Sequence, residues 1–145
     1  MRRLTHWILV LLLTYTGSAF SQKTPHFYNV DKEVRVEGTI QEIIMEPRYK
    51  TTAPFLIVFL EEKDSKKKYL VELSPVWFFE HDFHKGENLV VVGSLYSSGE
   101  DTQNIIAREV RFRGETLILR DKHGFPNWRG SQMMKRKWRR KGKGP

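Results

Sequence analysis

Two histidines three positions apart, His81 and His84, are the residues of this chain best suited by type to coordination chemistry. On a helix, Trp77, His81 and His84 are spaced by four and three and project from one face. That face would offer two imidazoles to a metal ion, with Glu80 or Asp82 beside them. A closed tetrahedral site needs four ligands. Beyond residue 21 the sequence holds only two more histidines, His26 and His123. The pair is therefore read as a solvated helix face with Trp77 tucked against the body, and no metal site is assigned to His81 and His84.

Other chemistry is sparser still. General acid–base catalysis needs a carboxylate or histidine positioned in a pocket. Glu61, Glu62, Glu72, Glu80, Asp82, Glu87, Glu100 and Asp101 instead fall in turns or on polar strand faces. No glycine-rich phosphate loop follows a strand, and no serine sits at a nucleophile elbow. There is no cysteine, which excludes a disulfide framework, a thiol nucleophile and thioether-attached haem. The expectation is a protein that is not an enzyme and uses no cofactor.

Near the C-terminus two features point to binding. In Leu119-Arg120-Asp121-Lys122-His123-Gly124-Phe125-Pro126-Asn127-Trp128, Asp121 to Gly124 reads as a turn. Phe125, Pro126 and Trp128 are costly to expose together. They fold back over an open end of the body, or else form a docking surface or pocket wall, since exposed aromatic patches mark interfaces. Arg120 and Asp121 are expected to pair locally, which is worth little if exposed. Beyond Gly130 the chain interleaves cations with apolar groups: Lys135, Arg136, Lys137, Trp138, Arg139, Arg140 and Lys141. Near an anionic membrane each cation contributes about 1 kcal/mol, so these seven are the candidate anionic-surface residues.

The formal charge of +8 is unevenly placed. Gln22 to Leu119 carries 13 basic and 16 acidic residues, whereas Arg120 to Pro145 carries ten basic residues and one acid. The body therefore lacks the basic footprint of a nucleic-acid binder. At the other end, Arg2 and Arg3 precede the apolar run Trp7 to Leu13, and small residues follow. This is the order of a secretory signal, with cleavage expected after Ser21 and, as second choice, after Ala19. The run is short for a membrane span, which takes about 20 apolar residues. The expected organisation is a signal peptide at 1–21, a leader at 22–32, a barrel domain at 33–130 and a disordered basic tail at 131–145, in a periplasmic or secreted protein.

The body must supply the scaffold. Val34, Val36 and Ile40 alternate with polar residues, with Gly38 marking a bulge or bend and a phase change at Glu42-Ile43-Ile44. Phe55 to Leu60 is apolar on both faces, as a central strand is. Tyr69, Val71 and Leu73 alternate again. Ser74 reads as a helix N-cap, Pro75 as the first helical residue and Gly86 as the C-cap. Val76, Phe79 and Phe83 fall at helical spacing between them. Leu89 to Leu95, Ile105 to Phe112 and Thr116 to Arg120 read as strands. The predicted fold is all-β: a small five- to six-stranded OB-like barrel with one short helix between strands 3 and 4.

The stretch Leu73-Ser74-Pro75-Val76-Trp77, then Gly86-Glu87, Val90-Val91-Val92-Gly93-Ser94, Ile106 to Val110 and Leu119-Arg120-Asp121 with Gly124, Pro126 and Trp128, resembles a group of small exported bacterial OB-fold-like proteins of unassigned function. Ser74 stands where that group has glycine. The resemblance spans about Val34 to Trp128 and implies fold and export but no activity. A weaker likeness, to the periplasmic OB-type haem chaperone of cytochrome maturation, lacks that family's haem-attaching histidine motif. The sequence thus predicts an exported, non-catalytic OB-fold binding or accessory module. Its partner would be an unidentified protein or an anionic surface such as a membrane or polyanion, met by the tail, with nucleic acid not bound through the barrel. The alternative is a periplasmic metal- or haem-handling accessory protein using His81, His84 and the aromatic end of the barrel.

Overall fold

The computed structural model describes residues 27–49, 53–97 and 103–130. The expected signal peptide, the first part of the leader and the basic tail, including Lys135 to Lys141, lie outside the described residues. Six strands run through the described chain: β1 (Glu33–Pro47), β2 (Pro54–Glu62), β3 (Lys68–Pro75), β4 (Asn88–Ser97), β5 (Gln103–Phe112) and β6 (Glu115–Ile118). They lie in the order β3-β2-β1-β4-β5-β6, and β3 also pairs with β5. That second pairing closes the first five strands into a barrel, with β6 added as a hairpin strand on β5. The OB-like barrel predicted from the sequence is the fold.

Closure depends on one long, bent strand. The first half of β1 pairs with β4 and the second half with β2, the two ladders overlapping at Gly38 and Thr39. Serving two neighbours requires β1 to coil, and the register shifts between Ile40 and Glu42, where the phase of the sequence changes. A Cβ at Gly38 would lie 2.3 Å from the Glu61 carbonyl oxygen, so glycine lets the neighbouring backbone approach. Gly93 on β4 plays the same part, with the Ile106 carbonyl oxygen 2.3 Å from its hypothetical Cβ. Inside, Ile40, Leu60, Leu73, Leu89, Ile105 and Val110 are fully buried. Each such side chain contributes roughly 1.5–3 kcal/mol of burial energy.

The expected helix between β3 and β4 does not form. The chain makes a single 3-10 turn, Val76–Phe78, and then runs without regular structure to β4. Ser74 is a buried residue of β3, its hydroxyl bonded to the Pro75 carbonyl, rather than an N-cap. The segment is rich in Val, Trp, Phe, His and Asp, which are mediocre helix formers. Its aromatic rings gain more by packing on the barrel. The Phe79 and Phe83 ring centroids lie 4.7 Å apart, and Phe83 meets Phe112 edge-on at 4.7 Å.

Gly93→Ala should therefore cost about 1–3 kcal/mol, the range for forcing atoms into a packed interior. A denaturant melt checks this, and an unchanged midpoint would show that β4 and β5 can part to admit a methyl.

Candidate functional site

The parallel ladder between β3 and β5 runs from Tyr69–Gln103 to Glu72–Ile106 and stops there. Both strands are bulged nearby: β3 between Glu72 and Ser74, β5 between Ala107 and Glu109. The carbonyls of Leu73 and Ala107, just past the last ladder pair, both accept hydrogen bonds from Nη1 of Arg120, that of Leu73 at 3.1 Å. Arg120 is thus a peg in the seam that closes the barrel. The chain delivers it there because the Leu119 and Arg120 amides both donate to the Arg108 carbonyl, the residue bulged out of β5.

A charge buried this deeply needs a counter-charge. Glu72, fully buried in β3, lies 3.8 Å from Nη2 of Arg120. The Tyr49 hydroxyl donates to its Oε1, while its Oε2 is buried without a hydrogen-bond partner. Burial lowers the Arg120 pKa, and the neighbouring Glu72 opposes that shift. Burial and then the charge of Glu72 push the nearby Tyr96 phenol up to about 12. Tyr49 is raised as well, chiefly by burial. Its backbone sits at φ +55°, a region bulky residues rarely adopt. Glu72 and Arg120 are thus not the solvated acid and locally paired arginine that the sequence suggested. Their signal was an opposite-charge pair set inside apolar runs, Val71-Glu72-Leu73 and Leu119-Arg120.

The segment after Arg120 folds back across this end of the barrel. Asp121 nucleates it, its Oδ1 accepting from the amides of His123 and Phe125, both at 2.9 Å. An Arg120–Pro126 bridge and an Asn127 amide bond to the Leu119 carbonyl at 3.0 Å complete the return. Trp128 is then buried, edge-on to Phe55 at 5.8 Å, with the Arg120 guanidinium 4.7 Å from its ring centre. Phe125 stays 63% exposed and Pro126 is half-buried. The leader closes over the turn. Tyr28 rests where a side chain at Gly124 would be, 2.3 Å from its hypothetical Cβ, and Gly124 has φ +88°. The Tyr28 hydroxyl donates to Glu33 Oε1, and Arg108 Nε donates to the same carboxylate at 2.6 Å.

Between leader and return segment lies a cavity of about 680 Å³, within the usual size range of ligand pockets. Aromatic side chains dominate its lining, among them Tyr28, Phe55, Trp77, Phe125 and Trp128. Arg120 reaches it from below the surface, and His123 and Arg129 line it from exposed positions.

The histidine pair is not here. His81 Nε2 lies 2.8 Å from Glu115 Oε2, and the His84 amide donates to Glu87 Oε2 at 2.8 Å. With no helix beneath them, the shared face expected for Trp77, His81 and His84 is lost. Among the described residues no three His, Cys, Asp or Glu side chains are grouped to hold a metal ion.

A model of the MamS/MamX magnetosome protein family matches residues 32–117, which spans the barrel but stops short of Arg120 and the return segment. No curated protein and no solved structure matches the chain. The family match overturns the expectation of a general OB-fold binding module that works through a basic tail on an anionic surface or protein partner, and it favours the metal- or haem-handling alternative.

The Tyr28 latch carries a pH signature. The hydrogen bond from Arg108 holds the Glu33 carboxyl below its usual range, against a smaller opposing effect of burial. A depressed carboxylate pKa stabilises the fold above the unfolded value, about 4.3, and that contribution is lost as pH falls through the folded value. Melting temperatures of the native chain and of Arg108→Met should therefore differ most above about pH 5 and converge as pH falls below about 4.3. A gap that stays constant across that range would mean the pair does not hold the leader.

Proposed function

Because this chain belongs to the MamS/MamX magnetosome protein family, we propose that it is an accessory protein of the magnetosome that binds haem or metal at the aromatic end of its barrel without transforming it. The family match is what ties the chain to haem or iron chemistry. An exported or membrane-associated bacterial protein fits that setting; export by cleavage after Ser21 into the periplasm is the finer part of the proposal. The supporting observation is the cavity roofed by the leader and the return segment, with its aromatic lining and His123.

The residues available suit this role. Aromatic faces take a flat apolar ligand, an imidazole can ligate iron, and the absence of cysteine excludes thioether attachment. His81 and His84, engaged with Glu115 and Glu87, are bystanders in this proposal.

The exported chain should bind either hemin or iron ions saturably near one equivalent, with tryptophan quenching as the readout. At a free ligand concentration 100 times Kd it should gain about 2.7 kcal/mol of stability. The double variant His81→Ala/His84→Ala should bind as the native chain does. Saturable binding of neither hemin nor ferrous or ferric ion would rule the function out, and loss of binding in the double variant would move the site to the segment of His81 and His84.

A further inference from the structure

We infer that the ligand of the cavity is a planar tetrapyrrole carrying acid groups, held non-covalently, with its ring among the aromatic side chains and its polar contacts made by His123 and Arg129. The inference rests on the function proposed above and narrows it to one ligand class and one set of residues.

Three observations separate this ligand from a bare metal ion. The first is donor chemistry. Among the described residues that line the cavity, His123 is the one histidine and none is an Asp or Glu. One imidazole does not make a site for a bare ion, which takes about four ligands in a closed site. It does suffice as a single protein ligand to an iron that already has the four nitrogens of a macrocycle. The second is shape. Phe55 and Trp128 meet edge-on at 5.8 Å, and Tyr49 meets Phe55 edge-on at 5.4 Å. Such an aromatic lining favours a flat, polarisable body over a hydrated ion or a flexible chain.

The third is the placement of charge. The guanidinium of Arg120 is committed to two backbone carbonyls and to Glu72. It therefore offers little net charge to a ligand. Among the described lining residues the cation left for a ligand is Arg129, which is exposed. An amphipathic ligand fits this pattern with its ring inside and its carboxylates at the mouth, where Arg can grip them with two parallel bonds. The Asp121 turn fixes the backbone that carries His123, through the amides of His123 and Phe125.

The test uses the exported chain with three probes: hemin, iron-free protoporphyrin and ferric ion. Hemin should bind one to one and shift its Soret band, and protoporphyrin should bind through the same cavity without coordination. His123→Ala should abolish the coordinated spectrum of hemin and leave protoporphyrin affinity within about twofold. Phe125→Ser and Arg129→Glu should each weaken both porphyrins about tenfold, equivalent to about 1.4 kcal/mol. All three side chains are exposed, so thermal melts should match the native chain and separate binding from folding. Ferric ion bound saturably while neither porphyrin binds would overturn the inference and leave the proposed function standing. Binding of none of the three would overturn both. Hemin bound with a spectrum indifferent to His123→Ala would remove the assigned ligand and with it the inference.

Discussion

A buried guanidinium at the seam of the barrel is the constraint on which the rest of this structure depends. Parallel pairing of β3 with β5 is what turns a twisted sheet into a closed barrel, and it lasts only from Tyr69 to Glu72. Beyond it the strands would leave the Leu73 and Ala107 carbonyls unpaired, a cost of roughly 1–3 kcal/mol for each buried group. Arg120 satisfies both. Its fork of donors suits two acceptors at once, which the point charge of lysine does not. The charge is tolerable because Glu72 is buried beside it, and Glu72 in turn is held by Tyr49.

The cavity follows from that peg. Once Arg120 is fixed, Asp121 begins a tight return, and Trp128 lands on the Arg120 guanidinium and the Phe55 ring. The return leaves a notch at Gly124, which the Tyr28 ring fills. Arg108, expelled from the β5 ladder by its bulge, anchors the Tyr28 and Glu33 latch with its side chain and receives the Arg120 amide with its carbonyl. One irregularity in one strand therefore positions two of the cavity's sides. The family match covers the barrel and ends before the return segment, so the scaffold is the family's and the roof over the cavity lies outside the matched stretch.

The strands were legible because their signals are local. Alternation at Val34, Val36 and Ile40, the apolar run Phe55 to Leu60 and the glycines at 38 and 93 each state a strand or a close approach without reference to distant residues. The helix was misread because Ser74, Pro75 and Gly86 imitate caps, whereas the segment between them is decided by aromatic packing against Phe112. The site was legible only in part, in Phe125, Pro126 and Trp128, which line the cavity, and the rest was hidden for a related reason. Nothing near Arg120 in sequence names its partners, which lie on β3 and β5, and Asp121 beside it offered a false local pair. Trp128 could be recognised as costly to expose, but its neighbours could not: Phe55, and Phe78, whose ring centre lies 5.6 Å from that of Trp128. His123 looked like a spare histidine until the turn brought it to the cavity.

The dependence of closure on Arg120 is tested most directly by amide hydrogen exchange in Arg120→Lys, which keeps the charge beside Glu72 and removes the fork. Protection of the seam amides in β3 and β5, from Leu70 to Glu72 and at Ile105 and Ile106, should fall more than tenfold further than protection across the β1–β2 ladder, because local openings with distinct free energies report separately. Seam amides as protected as in the native chain, or a loss spread evenly over all strands, would contradict the role of Arg120 as the peg that closes the barrel.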